Sequence, residues 1–159
     1  MTELWVEWML GGRTLHDRVR ERVHDLDVSK ARIETIAADL NEVPDLVRRM
    51  DAAMALYDSN YSRIACAPTK LGEYLGCGVP CLGSAGVGDM QAILDSREVG
   101  ITLHSSDESA IAAAITELVD LASDPRISAR CRQAAVDLFS LEQGARDYRS
   151  VYDSLSRAS

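Results

Sequence analysis

The sequence predicts an α/β protein: a parallel sheet in the middle layer, helices on both faces, and a helical C-terminus. Two observations lead there. Short apolar runs of strand length alternate with longer amphipathic stretches of helical period, the pattern of strands joined by crossover helices. One stretch, residues 68–89, also spells out a whole unit: helix, tight turn, buried strand, glycine-rich loop and the start of the next helix.

The elements follow in order. Residues 2–10 form a short apolar segment with Trp5 and Trp8, broken by Gly11 and Gly12. Residues 14–24 read as a charged amphipathic helix with Leu15, Val19 and Val23 on one face. Residues 32–37 alternate like a strand. Asn41 suits the N-cap of a helix over 42–49, with Pro44 in its first turn. Residues 52–57 form a buried strand, and 58–67 the loop after it, carrying Tyr61, Ser62 and Arg63. Pro68 opens the next helix; Gly78, in a left-handed conformation, ends it. Residues 79–83 make the next strand and 84–88 a glycine loop. A last strand spans 100–103, and Ser106 or Asp107 caps a helix running to Ala122. Asp124 and Pro125 open a helix to Phe139, and Ser140 starts the final one.

Composition narrows the function. The 159 residues suffice for one core, with 47% hydrophobic and 26% charged side chains. A formal charge of −8 argues against nucleic acid or an anionic membrane as partner. No apolar run approaches the roughly 20 residues of a membrane span. Glu3 and Glu7 stand among the first apolar residues without a basic leader, so the expected location is the cytoplasm. Cys66, Cys77, Cys81 and Cys131 form no Cys-x-x-Cys pair and read as reduced, buried thiols. His16, His24 and His104 lack partners at ligand spacing, so no metal and no cofactor is expected. There is no serine-nucleophile elbow and no phosphate loop of the Gly-Lys-Ser/Thr type.

The chemistry concentrates in the helix after Pro68. Leu71, Tyr74 and Leu75 share its core face, while Lys70 and Glu73 stand on another. Lys70 falls in the first turn, where backbone N–H groups already favour an anion; Glu73 lies about 5 Å further along the axis. A nucleotide suits such a pair, phosphate at the first end and ribose hydroxyls at the carboxylate. A plain surface ion pair, worth a few tenths of a kcal/mol, has the same spacing.

Pro68-Thr69-Lys70-Leu71-Gly72-Glu73-Tyr74-Leu75-Gly76-Cys77-Gly78-Val79-Pro80 resembles the signature of the C-terminal, donor-binding domain of GT-B glycosyltransferases of the family 4 type. Gly86-Val87-Gly88-Asp89 resembles the glycine loop of that domain, and Phe139 through Tyr152 its closing helices. The likeness covers roughly residues 14–155. It implies a Rossmann-like donor-binding domain over 14–159 after an atypical segment, 1–13, with its first strands incomplete. It also implies nucleotide-diphosphate-sugar binding by Glu73, Lys70, Thr69, Arg63, Ser62, Gly86, Val87, Gly88 and Asp89. Glu73 would hold the ribose, with Lys70, Arg63 and the loop amides near the diphosphate. No catalytic residue is assigned.

Two departures weaken sugar recognition. Ala65 stands where many members carry a glutamate, and Ala92 where another falls. The acceptor-binding half is missing, and so is the loop that supplies basic donor contacts. On this reading the chain is not competent alone: it is a fragment, a truncated gene product, or one subunit of a split enzyme whose partner is a companion chain bearing the acceptor domain. The apolar strand at 52–57 would become an edge, with Trp5, Trp8, Met9 and Leu10 as natural cover, which predicts a homodimer or swapped elements. The alternative is a non-catalytic interaction module that keeps the fold without the site.

Overall fold

The computed structural model describes residues 36, 38–57, 61–67 and 69–157. The segment at 2–10, the helix at 14–24, all but Ile36 of the strand at 32–37, the boundary at 13/14 and Pro68 lie outside the described residues. The chain divides into two compact units, Met1–Leu46 and Val47–Ser159. In the first, the turn entering α1 (Val43–Val47) begins at Asp39 rather than at the expected cap, Asn41. The Glu42 carboxylate reaches back to accept the Asp39 N–H at 2.9 Å, the reciprocal half of a capping box.

The second unit holds β1 (Ala53–Ala55), a 3-10 turn (Tyr61–Arg63), α2 (Thr69–Cys77), β2 (Cys81–Ser84) and α3 (Met90–Arg97). β3 (Gly100–Leu103), α4 (Glu108–Ala122), α5 (Ile127–Phe139) and α6 (Leu141–Arg157) complete it. The three strands are parallel in the order β1-β2-β3, with Ala53 opposite Cys81 and Cys81 opposite Gly100. Helices lie on both faces, as the sequence predicts. Successive strand residues point to opposite sides, so Cys81 and Leu82 seed two cores. Cys81 and Ala55 join Leu71 and Leu75 of α2, Leu94 of α3 and Cys131 of α5. Leu82 joins Ala114 and Leu118 of α4, with Met54, Ile101 and Leu103 packed around them. Each fully buried leucine contributes about 1.5–3 kcal/mol of transfer free energy.

Helix α2 ends as its glycine predicts. Gly78 has φ +86°, its N–H donates to Leu75 at 2.9 Å, and the Val79 N–H donates to Tyr74 at 3.0 Å. These two bonds are the Schellman pattern. They also explain why β2 starts at Cys81 and not at 79. The Val79 N–H is already committed to the helix end, and Pro80 has none to give. Gly72 lets α5 approach α2: a Cβ there would stand 3.0 Å from the Phe139 ring, whereas one at Gly76 would make an ordinary contact with Ala135 at 4.0 Å.

Just before α5 the Asp124 carboxylate accepts the Arg126 N–H at 2.9 Å and Arg130 Nη1 at 3.0 Å. Those bonds, the Arg126 amide first, lower its pKa. The Ser140 hydroxyl accepts the Gln143 N–H at 3.3 Å and so caps α6, which buries no residue along its length. Two of the four cysteines, Cys81 and Cys131, are fully buried, whereas Cys66 and Cys77 are half-buried; all four are free thiols. No described helix is long and apolar enough to cross a membrane.

Candidate functional site

Because the strands are parallel, the loops after β1 and β2 both leave at the carboxyl end of the sheet, where ligands bind in open α/β folds. Side-chain and backbone bonds tie these two loops together. The Tyr57 N–H donates to the buried Ser84 hydroxyl at 2.9 Å. The Gly88 N–H donates to the Arg63 carbonyl at 3.1 Å, and the Cys66 N–H to the same carbonyl at 3.0 Å. Gly88 has φ +49°, and a Cβ there would run into the Cys66 carbonyl. Glycine is required at this junction for both reasons.

Above the junction the Arg63 guanidinium stands over the Tyr57 ring, 5.3 Å from its centroid. The Tyr57 pKa is raised, first by burial and further by Cys66, Cys81 and Glu73, while the Arg63 cation opposes the shift. Glu73 therefore acts electrostatically on the same phenol that Arg63 covers. The Glu73 carboxylate is paired with Lys70 Nζ at 3.0 Å, their side chains 42% and 32% exposed. It faces solvent rather than the core, so a ligand can reach it.

The sequence-predicted residues fall into groups. Lys70 and Glu73 form one contact, with exposed Thr69 at the first position of the same helix. Arg63 and Gly88 meet through their backbones, and exposed Ser62 shares the 3-10 turn with Arg63. Gly86, with φ +73°, is exposed on the glycine loop. Asp89 is exposed at the N-cap position of α3, makes no side-chain cap bond, and accepts the Ile93 N–H on its carbonyl at 3.0 Å. The Val87 side chain is fully buried and belongs to the core, and the Gly88 amide is engaged by Arg63. Of the loop amides expected near a diphosphate, that of Gly88 is therefore taken.

Tyr57 is the residue that sequence reasoning passed over. It reads as the last position of an apolar strand, and only its place at the carboxyl end of β1, before a basic loop, signals a site. Chemically the set offers two cations, a carboxylate and a phenol on one rim, which suits an anion that also carries hydroxyls. Among the described residues no three His, Cys, Asp or Glu side chains gather to hold a metal. A cavity of about 430 Å³ opens elsewhere, along β3, and neither Lys70 nor Glu73 lines it.

No protein-family model matches the chain, and no curated protein matches it. Solved structures do. The crystal structure of AviGT4, a glycosyltransferase involved in avilamycin A biosynthesis, superposes with a TM-score of 0.66 at 20% identity over 99% of this chain. This chain shares its fold with part of a glycosyltransferase. Sucrose-phosphate synthase from Thermosynechococcus elongatus gives a TM-score of 0.71, also at 20% identity over 99% of this chain. The match spans 44% of the first protein and 39% of the second, less than half of either.

Proposed function

We propose that the chain is the nucleotide-diphosphate-sugar-binding part of a glycosyltransferase, corresponding to the C-terminal domain of a GT-B enzyme of the family 4 type. The observation that carries this reading is the exposed Lys70–Glu73 pair on the first turns of α2, beside the Arg63–Gly88 junction. Glu73 takes the ribose hydroxyls, while Lys70 and Arg63 neutralise the diphosphate, Arg63 through its planar fork. The fold shared with two glycosyltransferases supports it. In the reaction, the bond from the anomeric carbon to the diphosphate breaks, one to the acceptor oxygen forms, and the hydroxyl proton leaves with the diphosphate. The protein contributes charge neutralisation at the leaving diphosphate. In this reading no metal takes part, and the reaction is cytoplasmic.

Calorimetry with uridine, guanosine and adenosine diphosphates and their sugar conjugates tests this reading. At least one binds, raising thermal stability as RT ln(1 + [L]/Kd). The Glu73→Ala variant keeps the fold and loses that binding. Unchanged affinity in the variant removes the assignment.

A second reading, an interaction module without a site, is favoured by α6. Its Leu141, Tyr148, Val151, Tyr152 and Leu155 are 57–87% exposed and fall on one face. This module self-associates, as the expected homodimer would, and shows no thermal shift with any nucleotide diphosphate.

A further inference from the structure

We infer that the outer edge of β3 is a docking groove for an extended, basic peptide segment that adds to the sheet as a further strand. Among the described residues the sheet ends at β3, whose one paired neighbour is β2. The 430 Å³ cavity runs along it. Its lining includes Asp95 on α3, which lies against one face of the sheet, and Ala113 and Glu117 on α4, which lies against the other. A single cavity that touches both faces passes the strand edge itself. Its floor is then the edge of residues 100–103, whose outward amides and carbonyls are what a strand added about 4.7–4.9 Å away would bond. The small side chains of Ala110 and Ala113 leave room on the α4 side.

Charge selects the occupant. Asp95 and Glu117 are exposed carboxylates, and none of the residues lining the cavity is a lysine or arginine. Asp95 accepts a bond from the Thr102 hydroxyl at 2.8 Å, which fixes it beside the edge. A second copy of this chain pairing through β3 would bring the same two carboxylates against themselves, in a chain of formal charge −8. A basic strand meets complementary charge instead. Neighbouring residues of an added strand point to opposite faces, so two adjacent basic residues send one cation toward Asp95 and the other toward Glu117.

The test uses the full chain and a fluorescent hexapeptide of alternating valine and threonine with two adjacent central arginines. Anisotropy and amide exchange are the readouts. Binding is expected, with slowed exchange in β3. N-methylation of alternate peptide amides abolishes it, and the Asp95→Asn/Glu117→Gln variant weakens it about tenfold. Equal binding of the N-methylated peptide, or of one with glutamates in place of arginines, overturns the proposal. So does the absence of binding at about 1 mM, or binding that leaves β3 exchange unchanged. Sedimentation of a dimer whose β3 amides are already protected overturns it in favour of a second copy.

Discussion

The amide of Gly88 donates to the carbonyl of Arg63 at 3.1 Å, and this bond fastens the glycine loop to the turn that follows β1. The residue that supplies the stacked cation and the loop that opens α3 are thus one assembly, not two neighbouring loops.

Replacing Gly88 by alanine strains a positive φ and drives a methyl into the Cys66 carbonyl. The expected loss is about 2–4 kcal/mol, read from urea midpoints at unchanged slope.

Removing the Glu73 carboxylate has the opposite profile. The Lys70–Glu73 pair is 32% and 42% exposed, so Glu73→Ala shifts stability by no more than about 0.5 kcal/mol. A large destabilisation would show that the carboxylate serves the fold.

Core truncation differs again. Leu75 is fully buried between the sheet and α5, and Leu75→Ala costs about 2–5 kcal/mol. Leu155→Ala on α6, where the side chain is 60% exposed, stays within about 0.5 kcal/mol.

Arg63 lowers the Tyr57 pKa against the larger effect of burial. Arg63→Ala therefore moves the titration of that phenol to higher pH, as followed by ultraviolet difference absorbance. A midpoint that stays put or falls would show that the guanidinium does not act on the ring.

Burial pushes the Cys81 thiol up to about 12 and the Cys131 thiol to about 11. A raised folded pKa stabilises the fold fully below the unfolded value and loses that contribution as pH rises through the interval. Stability is thus expected to fall between about pH 9 and 12, by an amount on the order of 2 kcal/mol from Cys81 at about pH 10.5. Cys81→Ala flattens this fall in denaturation midpoints.

Much of the fold was readable because its signals are local. Gly78 announces a left-handed helix end, and β3 runs over 100–103 as its pattern predicts. Where boundaries moved, bonds at the helix ends decided them: the Val79 amide is taken by Tyr74, and Asp39 and Glu42 close their own turn. The site was less readable. The spacing of Lys70 and Glu73 could place them on one helix side but could not show that Tyr57 stands under Arg63, a contact between loop and strand. Nor could a glycine-rich string reveal that the Gly88 amide is consumed internally. Glu98 marks the limit of propensity: it adopts φ +51° where glycine is favoured, and Arg130 Nε holds its carbonyl at 2.8 Å.

The parallel order of the strands also sets a sequence of events in time. Neither pairing can close by a hairpin; each waits for its crossover. The β2–β3 connection, through α3 alone, is the shorter, so that pair closes at the lower loop entropy and is expected to form before β1 joins. Lesions in α3 then slow refolding, while lesions in α2 chiefly hasten unravelling.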